Sequence, residues 1–273
     1  NLGLALFWQR ENAAALTAWR QAKRFQPDTP SAIRAGDLLH PDSPRGLPQF
    51  EPSTARADTP ARLTGDVRAA VGSVPRLRSL AGANPRSSFV RLNLGLAFFW
   101  RRDNAAAVTS WRQAKRLQPD TPSAVRAGDL LHPDSPRGLP QFEPSTAEAD
   151  TPARRLVIRG VRLQASGRPV SAERLFARAA RLAPDDPDAQ VAAAVGVYDK
   201  DDPSRAFSRL GPLVRRFPHA QTVRFHLGLL SIWLGTFGQA RKELRLALAE
   251  NPKSTYGREA RLLLKRLENV RTK

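Results

Sequence analysis

The sequence predicts an all-α protein built of antiparallel helix pairs that are joined by proline-rich linkers. Two observations support this fold class: residues recur at a constant 34-residue spacing, and small and large apolar residues alternate at helical spacing. Pro184, Pro218 and Pro252 are each 34 residues apart, as are Pro85 and Pro119. Periods of roughly 20–50 residues are typical of repeat architectures.

Each predicted helix pair carries one pattern, first seen as Gly3, Ala15, Trp19, Ala22 and Pro27. The glycine lets two helices approach closely, and the next three residues share one helix face at i, i+4 and i+7. The same spacings recur at Gly95, Ala107, Trp111, Ala114 and Pro119; at Gly160, Ala172, Phe176, Ala179 and Pro184; and at Gly228, Ala240, Leu244, Ala247 and Pro252. A degenerate copy is Ala194, Ala206, Leu210, Leu213 and Pro218.

This pattern, with its closing proline, resembles the tetratricopeptide repeat (TPR) family over 1–27, roughly 90–119 and 154–252. Only seven of the 44 basic residues are lysine, so the composition is similar to that of a high-GC bacterial member. The resemblance implies a right-handed solenoid whose first helices line a concave groove. Leu6, Phe98, Leu163 and Ser231 stand where the family has tyrosine.

A second, longer repeat defines the predicted domains, because residues 1–62 recur at 93–154 with eight differences. We predict an incomplete unit over 1–39 and a proline-rich linker over 40–62. A unit with a closing helix follows over 63–131, then a second linker over 132–150. Three repeats and a capping helix complete the chain over 151–273. We also expect no β-strand within 152–253, and Gly228 close to Ala240.

The sequence predicts no catalytic residue, metal ligand or cofactor site. There is no cysteine, and the four histidines do not recur at metal-binding spacing. The acidic run over 199–202 lacks the alternating oxygen ligands of a calcium loop and is interpreted as a helix cap. No phosphate-binding glycine loop is present. These observations favour a non-catalytic scaffold or adaptor.

Large apolar residues on the predicted first helices are the candidates for the binding groove, where a protein or peptide partner would lie. They are Phe89, Leu92, Leu96, Phe99, Trp100, Phe225, Leu229, Ile232 and Trp233. The alternative, that all of them are core residues, stays open. Self-association through the duplicated units or linkers is also left open.

The net charge of +19 offers a second function class. Residues 150–273 hold 24 basic and 12 acidic side chains, and Arg258, Arg261, Lys265 and Arg266 form a basic patch. Such a patch could bind nucleic acid or an acidic protein. Nucleic acid is disfavoured, since stacking aromatic residues do not accompany the arginines. No apolar run is long enough to span a membrane; a cytoplasmic location is favoured, and an extracytoplasmic domain of a truncated precursor stays open.

The duplicated linkers share the sequence GLPQFEPS at 46–53 and 138–145. A solvated spacer has no need of a leucine and a phenylalanine at matching places. We therefore expect Phe50 or Phe142 to be buried on first-helix surface, against residues such as Phe99, Trp100 or Trp233. A solvated tail is the alternative.

Overall fold

The computed structural model describes residues 74–145 and 150–268, together with 14, 16–18 and 20–21. Between residues 74 and 268 the described regular structure is entirely helical, which confirms the all-α class. The helices are α1 Val74–Ala83, α2 Ser88–Trp100, α3 Asn104–Leu117, α4 Pro122–Leu131, α5 Pro152–Ala165, α6 Pro169–Leu182, α7 Pro187–Val195, α8 Ser204–Leu210, α9 Leu213–Arg216, α10 Gln221–Trp233, α11 Phe237–Glu250 and α12 Thr255–Glu268.

The chain divides into two compact units. Of the described residues, those up to 110 belong to the N-terminal unit, and 111–145 and 150–268 belong to the C-terminal unit. In the N-terminal unit α1 packs against α2. Helix α2 begins where the Ser87 hydroxyl accepts a hydrogen bond from the Val90 amide at 3.3 Å, and the Arg78 guanidinium lies 5.1 Å from the centre of the Phe98 ring.

In the C-terminal unit, helices that follow one another in sequence pack in adjacent pairs: α5 with α6, α10 with α11, and α11 with α12. Three residues, 166–168, join α5 to α6, and three others, 234–236, join α10 to α11. Each connection contains a glycine with positive φ, Gly167 at 71° and Gly235 at 72°, a backbone conformation that other residues rarely adopt. Such short connections force each helix to turn back along its predecessor.

Glycine allows the paired helices to approach closely. A Cβ atom on Gly160 would lie 2.4 Å from Cε1 of the buried Phe176 ring, and one on Gly228 would lie 2.7 Å from Cγ of Leu244. The same Gly228 Cβ would lie 3.4 Å from the Ala240 carbonyl oxygen. Both expectations for this region are therefore confirmed: Gly228 lies near Ala240, and residues 152–253, all of which are described, contain no strand.

The degenerate repeat keeps its buried residues but not its helix. Ala206, Leu210 and Leu213 are buried, as the pattern predicts. Pro212 lacks an amide hydrogen and breaks the second element of this pair into α8 and α9. The fold thus tolerates a broken helix where the apolar spacing is maintained.

Polar side chains cap the starts of two helices in this part of the chain. The Thr121 hydroxyl accepts a hydrogen bond from the Ala124 amide at 3.3 Å, and the Asp186 carboxylate accepts one from the Asp188 amide at 2.9 Å. Helix α6 has no cap of its own; instead Asp120 accepts from the Ser171 amide at 2.9 Å. Among the described residues, no helix combines the length and the apolar character needed to cross a membrane.

Replacement of Gly160 by alanine tests the helix crossing. We expect G160A to lower the free energy of unfolding by about 1–3 kcal/mol, because the fully buried Phe176 ring has little room to move. The matched control is G238A, where an added Cβ meets nothing within 4 Å on an exposed helical turn. Urea unfolding of both variants measures the difference, and equal stability of the two would contradict the close crossing.

Candidate peptide-binding surface

Residues 139–145, here called the docked segment, lie across the first helices of the C-terminal unit. The segment forms neither helix nor strand. Pro140 and Pro144 restrict its backbone to extended conformations, and Pro140 is buried. The helices beneath it are α5, α7, α10 and α12, each of which contributes hydrogen-bonding side chains to the segment.

Phe142 anchors the docked segment. Its side chain is 1% exposed, and its ring stacks on His226 with 4.8 Å between centroids and 19° between planes. The edge of Phe176 meets it with centroids 6.1 Å apart. The predicted burial of this phenylalanine is therefore confirmed, with Phe176 and His226 as ring partners where Phe99, Trp100 or Trp233 were expected. Phe50, its counterpart in the first copy, lies outside the described residues.

Side chains of the first helices bind the backbone of the docked segment. The Phe142 amide donates to Gln164 Oε1 at 3.1 Å, and the Glu143 amide donates to His226 Nε2 at 3.1 Å. The Tyr256 hydroxyl donates to the Glu143 carbonyl at 2.6 Å. These bonds satisfy the Phe142 and Glu143 amides and the Glu143 carbonyl, although the segment has no strand partner.

The next residue bound in this way is Ser145, at the end of the segment. Its amide donates to Asp188 Oδ2 at 3.0 Å, its hydroxyl donates to the same oxygen, and its carbonyl accepts from Arg154 Nη2 at 2.6 Å. Arg154 also lies 3.8 Å from Asp188, so the guanidinium balances the charge of a carboxylate that is 8% exposed.

Four residues of this surface occupy equivalent places in successive first helices. Arg154, Asp188, Thr222 and Tyr256 are each 34 residues apart. Arg154, Asp188 and Tyr256 bind the segment directly, while the Thr222 hydroxyl donates to the Tyr256 hydroxyl at 3.1 Å. One register position of the repeat therefore supplies a row of polar groups along the path of the segment.

His226 is completely buried. Of the side chains named at this surface, it is the one whose ordinary pKa lies nearest to neutrality. Its Nδ1 lies 2.7 Å from the Thr222 carbonyl, which assigns the ring hydrogen to Nδ1 and leaves Nε2 as acceptor for the Glu143 amide. Burial lowers the pKa of His226 to about 4, against the raising effects of the Thr222 carbonyl and Asp188. The imidazole is therefore neutral at pH 7, as its acceptor role requires.

Ion pairs fix the chain immediately before the docked segment. Lys200 Nζ lies 2.6 Å from Asp129 Oδ1 and donates to the Pro136 carbonyl at 2.7 Å. The Gly138 amide donates to the same Asp129 oxygen at 2.8 Å. Side chains of Lys200 and Asp129 are only 2% and 10% exposed, so this pair is shielded from solvent.

A second, more exposed set joins the same regions. Lys115 Nζ lies 2.6 Å from Asp199 and 2.5 Å from Asp201, and His132 Nε2 lies 2.6 Å from Asp201. The acidic run over 199–202 therefore pairs with Lys115 of α3 and contacts His132, the residue after α4. It also caps its own turn, since the Asp201 amide donates to Asp199 at 2.9 Å.

The predicted groove residues occupy several environments. In the N-terminal unit Phe89 and Leu92 are buried, whereas Leu96, Phe99 and Trp100 are half-buried. In the C-terminal unit Phe225 is buried between His226 and Tyr256, with ring centroids 5.1 and 5.0 Å away. Leu229, Ile232 and Trp233 are half-buried, and the Trp233 ring carries Lys200 Nζ 5.7 Å from its centroid. Phe225 thus supports the residues that hold the segment.

The predicted basic patch lies on α12. Arg258, Arg261, Lys265 and Arg266 are all exposed. Arg258 donates to the Lys253 carbonyl at 2.7 Å. Among the described residues, no group of three or more histidine and carboxylate side chains is arranged to hold a metal ion.

No family model and no curated protein matches this chain. The residues that contact the docked segment were not predicted from the sequence. The sequence marks these residues only through the 34-residue spacing of Arg154, Asp188, Thr222 and Tyr256. Because the four residues are of different types, their shared spacing does not by itself indicate a common role. What the arrangement can do chemically is bind extended backbone.

The lowered pKa of His226 predicts a loss of stability in mild acid. An unfolded histidine titrates near 6.5, so between pH 6.5 and about 4 the unfolded chain binds a proton that the folded chain excludes. The contribution of this residue is complete above pH 6.5 and falls by up to about 3 kcal/mol as the pH drops to about 4.

The measurement is urea unfolding of the wild type and of H226Q at pH 7.5, 5.5 and 4.5. Carboxylates titrate in both proteins, so the difference between them isolates His226. We expect the wild type to lose more stability than H226Q over this range. Parallel curves would show that the pKa of His226 is the same in the folded and the unfolded chain, and would contradict its lowered value.

Proposed function

We propose that this chain is a non-catalytic protein-interaction scaffold of the TPR type, which binds an extended partner segment across the first helices of its C-terminal unit. The docked segment is the observation that supports this proposal. A stretch of chain without secondary structure lies there, with a phenylalanine in the core and its backbone held by side chains from four first helices.

Some contacts of this surface bind the backbone of any extended segment, and others select particular side chains. Hydrogen bonds to the Phe142, Glu143 and Ser145 backbone contribute about 0.5–1.5 kcal/mol each and accept many sequences. Selectivity comes from the space for the Phe142 ring and from Asp188, which accepts a hydroxyl hydrogen as well as an amide hydrogen. Prolines at both ends of such a segment reduce the entropy lost on binding.

Recognition through the backbone of an extended segment is how several peptide-binding domains work, with side-chain pockets setting specificity. In this unit, side chains of the first helices bind the backbone of the segment, and the space that holds the Phe142 ring sets specificity. In this proposal the chain's own residues 139–145 occupy the surface until a partner segment with similar features replaces them.

A labelled peptide of sequence GLPQFEPST tests the proposal on the full chain. In the double variant F50A/F142A neither internal copy offers a phenylalanine, so we expect the peptide to bind with a Kd on the order of 10 μM by fluorescence anisotropy. Wild-type protein should bind it at least roughly tenfold more weakly, because its own segment competes at an effective concentration of about 1 mM.

Two further substitutions in the F50A/F142A background show whether the peptide occupies this surface. Y256F removes the hydroxyl that binds the Glu143 carbonyl and should weaken peptide binding about 3- to 10-fold. Y198F is the matched control, since the Tyr198 ring packs on Trp233. Absence of binding to F50A/F142A, with helix content unchanged by circular dichroism, would contradict the proposed function.

A second candidate function, binding of an anionic surface, is favoured by the arrangement of charges on α12. Arg258, Arg261 and Lys265 are exposed at i, i+3 and i+7, which places them on one side of the helix, and Arg266 adjoins them. The net charge of +12 over residues 150–273 would strengthen such binding.

We expect this second activity to be weak and independent of nucleic-acid sequence. Binding of the wild type to a single-stranded oligonucleotide should fall steeply between 50 and 200 mM salt, roughly as expected for several released counterions. The variant R258A/R261A/K265A should show a smaller salt dependence. Nanomolar binding at about 150 mM salt would place nucleic acid ahead of a protein partner.

A further inference from the structure

The surface that holds residues 139–145 belongs to a chain with two copies of the segment that fits it. Residues 46–53 and 138–145 both read GLPQFEPS. The duplication also includes the residues that anchor the preceding chain, because Lys115, Asp129 and His132 have Lys23, Asp37 and His40 as counterparts.

The receiving residues are not duplicated in the same way. Asp188, His226 and Tyr256, which bind the docked segment, lie beyond residue 154, where the duplicated stretch ends. Each chain therefore carries two segments of identical sequence, and the described surface holds one of them, residues 139–145.

We propose that, when residues 139–145 are displaced from it, the first-helix surface of one chain binds residues 46–53 of a second copy. The inference rests on the proposed function and names a partner for the same surface. Every contact of the docked segment uses backbone atoms or side chains that recur unchanged at 46–53, including Phe50 for Phe142 and Ser53 for Ser145. Exchange of identical elements between protomers is a low-cost route to association because the contacts are conserved.

The two copies of the segment compete on unequal terms. Residues 139–145 are joined to α5 by a short stretch of chain, so their effective concentration at the surface is about 1 mM. They hold the surface in the isolated chain at lower protein concentrations. When they are displaced, the segment of a second copy takes their place. Donor and receiving surfaces differ, so the contact runs head to tail and builds rings or open chains of protein copies.

Single and double substitutions of the two phenylalanines test this exchange in the full chain. F142A weakens the chain's own segment by roughly a hundredfold or more, because it removes a fully buried ring, and leaves residues 46–53 intact. We expect the mass of F142A, measured by light scattering after gel filtration, to rise from one copy to two or more at about 100 μM. The wild type, F50A and F50A/F142A should remain at one copy.

An excess of the peptide GLPQFEPST should return F142A to single copies, since it competes for the same surface. F142L, which keeps more apolar volume, should associate in the same way at higher concentration and provides a variant less prone to unfold. The inference is overturned if F142A and F142L, both with wild-type helix content, remain single copies at about 200 μM. It is equally overturned if F50A/F142A associates as strongly as F142A.

These outcomes separate the inference from the proposed function. Peptide binding by F50A/F142A together with single-copy F142A rejects the exchange between copies and supports the binding surface. Failure of F50A/F142A to bind the peptide rejects both.

Discussion

The close helix crossing within each pair is the constraint on which the rest of the C-terminal unit depends. Gly160 against Phe176 and Gly228 against Leu244 leave no room for a side chain at the crossing. The large residue of one helix therefore fits only at one position along the other. Because the pattern of small and large residues recurs every 34 residues, with Ala194 between Gly160 and Gly228, other residues at the same spacing also occupy equivalent places in successive first helices. The packing of the core thus determines where polar side chains emerge on the surface.

The polar row formed by Arg154, Asp188, Thr222 and Tyr256 depends on that regularity. No single first helix could satisfy the backbone of an extended segment, since consecutive residues of such a segment advance about 3.3 Å and soon leave one helix. Four helices in regular succession can follow the path. The burial that keeps His226 neutral also makes its Nε2 an acceptor for the Glu143 amide. Here the electrostatics of the site follow from packing, because a histidine in water would be partly protonated and unsuited to that bond.

The linker residues show how a segment without secondary structure becomes part of a core. Phe142 packs within the same cluster as Val157, Phe176 and Ala192. The Lys200–Asp129 pair and the Gly138 amide hold the chain just before it. In the sequence these residues belong to a proline-rich stretch that predicts a linker. The prolines do prevent helix and strand formation, but they also present Leu139 and Phe142 with little loss of entropy. Exclusion from regular structure and participation in the core are therefore compatible.

Local pattern and spacing determined the helical class, the absence of strands within 152–253 and the glycine crossings, because these depend on residues close in sequence or on a fixed period. The sequence also indicated that Phe142 is buried. Only the tertiary structure decided what buries it. His226 lies 84 residues from Phe142, and Tyr256 lies 113 residues from the Glu143 carbonyl that it binds. The 34-residue period does not relate the linker to the helix surface that it contacts. That contact depends on which surface of the folded helices is accessible to the linker.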